Sequence, residues 1–556
     1  MAKKGLEDPF DGIRARPEGS PRGVNPFRNL IGSEVWLLLN KVGNFLAGQG
    51  IESYLVGGWV RDALLVHHAD SPRVGRDTAD IDIAVASDAL EIAPAVADAL
   101  GGKYVLLDKE NKVARVVLLN NKEAGLPAAA EAKASKPCQL DFATFEGTIE
   151  QDLARRDFTI NAMAVNLSRS GKGFSDRQLI DPFDGRSDLS RGIIRVVAET
   201  AFVADAVRLL RAVRLAAELN FSIDSNTETL IRRYSHLLSG VAGERVREEL
   251  LRLLAVPFDP AGSTTLTTGQ GRSGGGKIFS YLDELGLLLV IFPELAETKG
   301  VGQPKEHFWD VFQHSLRTVT AVDFLLRQGA WEYADGSVLA AVPWSMVLTE
   351  RFAQEVSSGS TRRSLLKLAA LLHDINKPQT KAIDENGRVR FLGHAQEGAA
   401  RVVEMLERLR FSGKEIKLVE TEVMYHLRPT QMSQDGLPSR RAIYRYFRDT
   451  AEAGIDILFL SLADHLATRG PELILAGWQE HCRLVDYVIG KRFEQEKIVH
   501  SPKLVDGYDI INTFSVPPGR QVGELLEAVL EAQASGEVTT REEALSLIER
   551  LKKKNA

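Results

Sequence analysis

Residues 79–85 read Ala-Asp-Ile-Asp-Ile-Ala-Val, an alternation of acidic and apolar side chains that suits a strand with one wet and one buried face. Side chains two apart on a strand point the same way, so Asp80 and Asp82 present two carboxylates side by side. Such a pair repels itself unless a cation lies between, and hard oxygen donors suit Mg²⁺. Upstream, Leu55-Val56-Gly57-Gly58-Trp59-Val60-Arg61-Asp62 passes from an apolar run into a glycine pair, with Arg61 one helical turn later. A tight turn of that kind lets backbone approach a phosphate, with a cation close by.

At 556 residues the chain is too long for one core and should form about three to five units. The pattern predicts a multidomain α+β chain: a mixed-sheet head, then a mostly helical neck, a middle domain and a tail. Residues 1–29, rich in Gly, Pro and Arg without periodicity, read as a disordered tail. The head spans 30–200, opening on a helix with Val35, Leu38, Leu39, Val42, Phe45 and Leu46 and continuing through strand-like runs at 104–107, 114–119 and 140–143. A polar, alanine-rich loop at Asn120–Lys136 interrupts it. The neck spans 201–300, with a Gly/Ser/Thr-rich flexible loop at 257–277; the middle domain spans 301–470, with an irregular insertion at about 329–361; a helical tail takes 471–556.

The net charge of −6 does not mark a nucleic-acid binder, so any such binding must come from local basic surfaces. Two cysteines, Cys138 and Cys482, cannot build a disulfide framework, which points to cytoplasm. No apolar run is long enough for a bilayer, and the first 30 residues lack an apolar signal core.

Two further motifs carry chemistry. In Arg155-Arg156-Asp157-Phe158-Thr159-Ile160-Asn161 the paired arginines can grip triphosphate oxygens, while Asp157 and Asn161, one turn apart, contact a ribose or brace an arginine. In Ala204-Asp205-Ala206-Val207-Arg208-Leu209-Leu210-Arg211-Ala212-Val213-Arg214, helical spacing sets Asp205, Arg208, Arg211 and Arg214 on one stripe. A carboxylate only accepts and a guanidinium only donates. Edge-on to a base, Asp205 and Arg208 match an amine beside a ring-nitrogen acceptor, as cytosine and adenine offer. Guanine and uracil make both contacts repulsive, which discriminates more strongly than a lost contact. The bland alternative is an amphipathic helix with a salt-bridged outer face.

Together these strings resemble the nucleotidyltransferase superfamily that includes DNA polymerase beta, and within it the class II tRNA nucleotidyltransferases and bacterial poly(A) polymerases. The resemblance runs from about 51 to 254 and more loosely to the end, where Pro517-Pro518-Gly519-Arg520-Gln521 and its sequel look like the same enzymes. It implies template-independent addition of C and A from CTP and ATP to tRNA 3′ ends, catalysed by Asp80, Asp82 and, on a neighbouring strand, Asp141. The first two would hold Mg²⁺, with Gly57, Gly58, Arg61, Arg155 and Arg156 on the phosphates. Asp205 and Arg208 would select the base. This chain departs from the pattern at Ala204, where the motif has Glu, and at Asp184, where Gly is more usual.

His314, His373-Asp374 and Asp464 form a mixed N/O set on three segments, suited to Mn²⁺, Fe²⁺, Zn²⁺ or Mg²⁺. The set resembles the HD phosphohydrolases, with Asn376 where Gly is usual; Lys377, His394 and His426 fall where auxiliary ligands or phosphate contacts occur there. His67, His68, His236, His481 and His500 fall outside any motif and are expected at the surface. Arg428, Arg440, Arg441, Arg445 and Arg448 are candidate RNA contacts. Competing readings are a poly(A) polymerase or an enzyme adding only CC or only A, an HD phosphohydrolase with a vestigial head, and a nucleotide sensor without turnover. Oligomeric state is not set by any of these motifs.

Overall fold

The alternating stretch does become a strand, and the head is built around it. The computed structural model describes residues 34–65, 80–118, 138–167, 178–256, 275–433, 436–499 and 504–555. The expected tail at 1–29, the loop Asn120–Lys136, most of 257–277, and His67, His68 and His500 lie outside the described residues, and of Asp80 only the backbone is described. The chain divides into two compact units, Met1–Arg191 and Gly192–Ala556.

The first unit contains α1 (Glu34–Gly48), β1 (Ser53–Val56), α2 (Gly58–Leu65), β2 (Asp80–Val85), α3 (Ala89–Leu100), β3 (Lys103–Asp108), β4 (Val113–Leu118), β5 (Cys138–Thr144), α4 (Ile149–Ala154), β6 (Ala164–Asn166), β7 (Leu179–Ile180) and α5 (Gly185–Arg191). α1 buries Leu38, Leu39, Val42 and Leu46, the stripe its spacing predicts. The strands form one mixed sheet in the order β3-β4-β5-β2-β1-β6-β7. β2 runs antiparallel to β1 and parallel to β5, in the register Ile81↔Leu140, Asp82↔Asp141 and Ile83↔Phe142. Ile81, Ile83, Leu140 and Phe142 are buried, so the hydrophobic effect fixes this register and holds positions 82 and 141 side by side on the opposite face. The apolar run at 104–107 is a strand as expected, but it is the sheet's edge, and Tyr104, Val105, Leu106 and Leu107 are exposed. Asp184 has φ +59, a left-handed conformation that explains why Gly is favoured there and that Asp tolerates better than most residues.

The second unit opens with α6 (Thr200–Ala204), α7 (Arg208–Leu219), α8 (Ser225–Tyr234) and α9 (Gly243–Ala255). After the undescribed stretch come α10 (Gly275–Glu284), α11 (Leu288–Ile291), α12 (Val311–Leu325), α13 (Gly336–Ala340), α14 (Met346–Ala353), α15 (Arg362–Leu372), α16 (Lys377–Thr380), α17 (His394–Arg408) and α18 (Gly413–Tyr425). The chain ends in α19 (Arg428–Gln431), α20 (Arg440–Thr450), α21 (Gly454–Arg469), α22 (Leu475–Val499), α23 (Gly507–Phe514), α24 (Arg520–Ser535) and α25 (Arg541–Asn555). The stretch 329–361 is not irregular: Asp335 and Ser345 cap α13 and α14, and a short hairpin pairs Glu355–Ser357 with Ser360–Thr361. Short capped helices carry too little periodicity to be seen in sequence.

Among the helices, Lys367 on α15 is nearly inaccessible; its Nζ lies 2.6 Å from Asp323 on α12 and donates to the Leu254 carbonyl on α9 at 2.8 Å. The last three helices have their own core around Ile510, Val529, Ala544 and Ile548. α24 and the turn after it dock on α20 through ion pairs: Arg441 and Arg445 with Glu531, Arg448 with Glu527, and Arg441 with Glu537 just past the helix. Of the arginines expected to meet RNA, Arg428, Arg441, Arg445 and Arg448 thus already have acidic partners within the chain, Arg428 through Asp449. No described helix is long and apolar enough to cross a membrane.

Candidate active site and metal centre

In the head, the turn between β1 and α2 brings the predicted residues together. Gly57 has φ +74, and a Cβ there would stand 2.9 Å from Asp82 Oδ2 and 3.2 Å from Arg156 Nη1. The position needs glycine twice over, for its backbone and for the carboxylate and guanidinium that close around it. Arg61, on the first turn of α2, is buried; its Nη1 donates to Asn161 Oδ1 at 2.9 Å, and Asn161 Nδ2 donates to Asp157 Oδ1 at 3.1 Å. Asp157 also accepts from the Phe158 amide at 2.8 Å, so Asp157 and Asn161 form a relay that aims Arg61. Arg155 and Arg156 follow α4, itself started by a Thr148–Gln151 capping box, and both bond Asp152; Arg155 is the exposed one.

Asp82 is exposed, and Asp141 beside it accepts both Arg115 Nε at 2.7 Å and Nη2 at 2.8 Å. Arg115 was not anticipated. Its signal was a lone charge in the otherwise apolar β4 run, and its partner lies 26 residues away in sequence. The carboxylate oxygens gathered on this face are the hard donors that a divalent cation such as Mg²⁺ prefers.

In the second unit Asp205 does not share a helical stripe with the arginines. It caps the end of α6 in extended backbone, φ −153 and ψ 97, and α7 begins only at Arg208. Arg245 on α9 donates to both its oxygens, at 3.0 and 2.8 Å. Arg208 stays near, with Nε 3.9 Å from Asp205 and Nη1 donating to the Ala201 carbonyl at 3.3 Å. Arg211 and Arg214 both hold Glu249 of α9, at 3.0 and 2.5 Å, and Arg214 also holds Glu218. α9 is therefore a partner of the whole motif, which local spacing could not reveal.

The HD residues converge. His314 on α12, His373 and Asp374 after α15, His394 opening α17 and His426 closing α18 are all buried. Nδ1 of His373, His394 and His426 lies 2.9, 2.6 and 2.6 Å from the carbonyl three residues back. A carbonyl can only accept, so each Nδ1 carries a hydrogen, and in His394 and His426, which burial keeps neutral, the lone pair of Nε2 turns inward. His394 and His426 then face each other Nε2 to Nε2 at 3.4 Å, both about Asp374 Oδ1, at 3.5 and 3.8 Å. On the other side His314 and His373 stand at 3.5 and 3.2 Å from Asp374 Oδ2, with His314 also 3.0 Å from Asp464.

Two opposed lone pairs in a buried site need a cation between them. Burial opposes a proton there, depressing His394 and pushing His426 down to about 3. Although burial alone would raise it, Asp374 is held well below the usual carboxylate range by His373 and Lys377. Lys377 Nζ lies 2.6 Å from Asp374, yet neither Asp374 oxygen has a well-angled hydrogen bond. His314, His373 and Asp374, and separately Asp374, His394 and His426, each bring three ligand atoms within 4.8 Å of one another. These orphaned donors fit a divalent metal.

His481, expected at the surface, is instead half-buried between Ser461 and His465, at 3.2 Å from each. His236 is exposed as expected. His307 was overlooked; it packs edge-on to His314 with Nδ1 buried and unbonded, and burial lowers it to about 4.

The first unit's sheet with its Asp82–Gly57–Arg156 cluster, and the second unit's buried His/Asp centre, define a nucleotidyltransferase that also carries an HD domain. The poly A polymerase head domain family matches residues 53–195, the HD domain family 344–469, and the family described as a probable RNA- and SrmB-binding site of polymerase A 220–259. Among curated proteins, the A-adding tRNA nucleotidyltransferase of Deinococcus radiodurans is 32% identical over 502 residues, covering 89% of this chain and 94% of that protein. The CC-adding tRNA nucleotidyltransferase of Thermus thermophilus is 31% identical, covering 89% and 93%. The chain belongs to the tRNA nucleotidyltransferase family. Its fold is also that of the Thermotoga maritima CCA-adding enzyme solved with tRNA, at a TM-score of 0.55 and 23% identity over 93% of this chain and 96% of that one. Transferase and HD domains both imply use of divalent metal.

Proposed function

We propose that this protein completes tRNA 3′ ends by adding C and A from CTP and ATP without a nucleic-acid template. The observation that carries the reading is the β2–β5 register, which sets Asp82 beside Asp141 while Gly57 leaves room for both the Asp82 carboxylate and the Arg156 guanidinium. The printed names of the relatives, and solved relatives with CTP and with ATP, support tRNA and these triphosphates as its partners.

In the reaction the RNA 3′ oxygen bonds to the α-phosphorus, the bond to the bridging oxygen breaks, pyrophosphate leaves, and the hydroxyl proton passes to solvent. A divalent ion, Mg²⁺ by donor chemistry, held by Asp80 and Asp82 would neutralise charge on the entering and leaving oxygens. Arg61, kept in aim by Asn161 and Asp157, and Arg156 hold the triphosphate; Arg155 extends the positive rim. Asp141, screened by Arg115, completes the carboxylate set. Asp205 accepts from the base amine and Arg208 donates to the ring nitrogen, while Arg211 and Arg214 support that helix through Glu249. The division into tail, head, neck, HD domain and C-terminal helices, at 29, 200, 300 and 470, belongs to this reading, as does a cytoplasmic setting.

The test supplies CTP and ATP, separately and together, to tRNA transcripts ending before the added nucleotides, and sequences the ends. The expected result is two C residues with CTP alone and CCA with both. No growth of the RNA sinks the reading.

The convergence of His314, His373 and Asp374, with Asp464 3.0 Å from His314, favours a second, separate activity, metal-dependent hydrolysis of RNA terminal or cyclic phosphates, with Lys377, His394 and His426 in support. His373→Ala is expected to lose bound transition metal by elemental analysis and any phosphatase activity, with nucleotide addition unchanged. Undiminished metal content would remove the centre from consideration.

A further inference from the structure

Asp205 is held from outside its own helix. It sits in extended backbone between α6 and α7, where no helical neighbour fixes its carboxylate; its only local bond is a long one from the Val207 amide, 3.4 Å. The related motif has a Glu just before this Asp, and this chain has Ala204 there. What grips Asp205 instead is Arg245, one fork on two oxygens at 3.0 and 2.8 Å, from α9. One turn later on the same helix, Glu249 grips Arg211 and Arg214. Residues 245 and 249 are four apart and so share a helix face, and that face presents a donor to the acid and an acceptor to the bases of one recognition motif.

Resting on the reading above, we propose that Arg245 is a positioning residue that sets triphosphate selectivity: by holding both Asp205 oxygens it fixes that group as an acceptor in a defined plane, so that bases with an amine are taken and bases with a carbonyl are refused. A carboxylate has about four acceptor sites, and a bidentate guanidinium uses two, leaving room for the base amine. The charged groups facing Asp205 are Arg245 from α9 and Arg208 from α7. Although burial favours protonation, Arg245 keeps Asp205 below the usual carboxylate range. Freed of Arg245, the carboxyl can turn about its side-chain bonds and take up a proton, and a protonated carboxyl donates to the carbonyl oxygen of uracil or guanine. The Arg245 side chain is half exposed, 50%, so its loss removes a hydrogen-bonded brace and leaves the core intact.

The experiment measures single-nucleotide incorporation of CTP, ATP, UTP and GTP by the full chain on truncated tRNA, for wild type, Arg245→Gln, Arg245→Lys and Asp205→Asn. Arg245→Gln is expected to raise KM for CTP and ATP about tenfold with little change in kcat, and to cut discrimination against UTP and GTP by about 10- to 100-fold, the loss of a bidentate brace on a polarity filter. Arg245→Lys, which keeps the charge and loses the fork, is expected to fall between the two. Asp205→Asn should lose discrimination outright. Wild-type selectivity in Arg245→Gln, or in Arg245→Lys should the first variant melt early, overturns the inference while Asp205→Asn still reports the base filter. Absence of preference in the wild type overturns instead the reading on which it rests.

Discussion

Asp82→Ala should abolish nucleotide addition while leaving the fold as stable as before. The side chain is exposed and its neighbours Ile81 and Ile83 carry the burial that holds β2 in the sheet, so little packing is lost. On the proposed mechanism, what is lost is a carboxylate of the group that would carry a cation at the point where charge develops. Removing such a group costs about 4 kcal/mol or more of transition-state stabilisation, a rate loss of about a thousandfold or greater. Asp82→Asn keeps the shape and one neutral oxygen and should recover only a small part. Single-turnover extension of a labelled tRNA, run beside a thermal melt, reads both halves of the expectation. Residual activity within tenfold of wild type would place the chemistry elsewhere on the chain.

Asp323→Ala should be the most damaging single change to the second unit. It removes the partner of Lys367, whose ammonium is almost wholly withdrawn from water and, among the described residues, would keep the Leu254 carbonyl. Breaking a buried pair from one side costs about 3–5 kcal/mol, because an uncompensated charge remains inside. Removing both sides together, as in Asp323→Leu with Lys367→Met, should return most of that loss, since the same hydrophobic shell then encloses apolar groups. Hydrogen exchange of peptides from α9, α12 and α15 under increasing urea measures the effect where it arises. Equal instability of the single and double variants would show that the two side chains matter for their shape alone.

What the sequence made legible follows from the range of the interactions. The strand at 80–85 was visible because its period of two is written in adjacent residues, and the HD set because its residues come in an ordered motif. Asp205 was misplaced by one turn because helical spacing continues smoothly through Ala204–Arg208, whereas the backbone extends at Asp205 and restarts the helix. Arg115, Arg245 and Glu249 were missed for one reason: each meets its partner across 26 to 40 residues, where no local period reports it. His481 was misjudged because burial between α21 and α22 depends on packing, which a lone histidine does not announce.

The parallel pairing of β2 with β5 also decides which insertions and deletions this protein can survive. Ile81 and Ile83 against Leu140 and Phe142 set the alignment, so the number of residues between Leu118 and Cys138 can change without moving either aspartate relative to the other. One residue added between Leu140 and Asp141 is another matter. It would leave the anchors seated and shift Asp141 out of step with Asp82, or seat Asp141 and drive an apolar residue into water. Added length is therefore tolerated in the connecting stretch, whereas on the proposed mechanism a single codon inserted beside Asp141 is a lesion to the chemistry before it is a lesion to the fold.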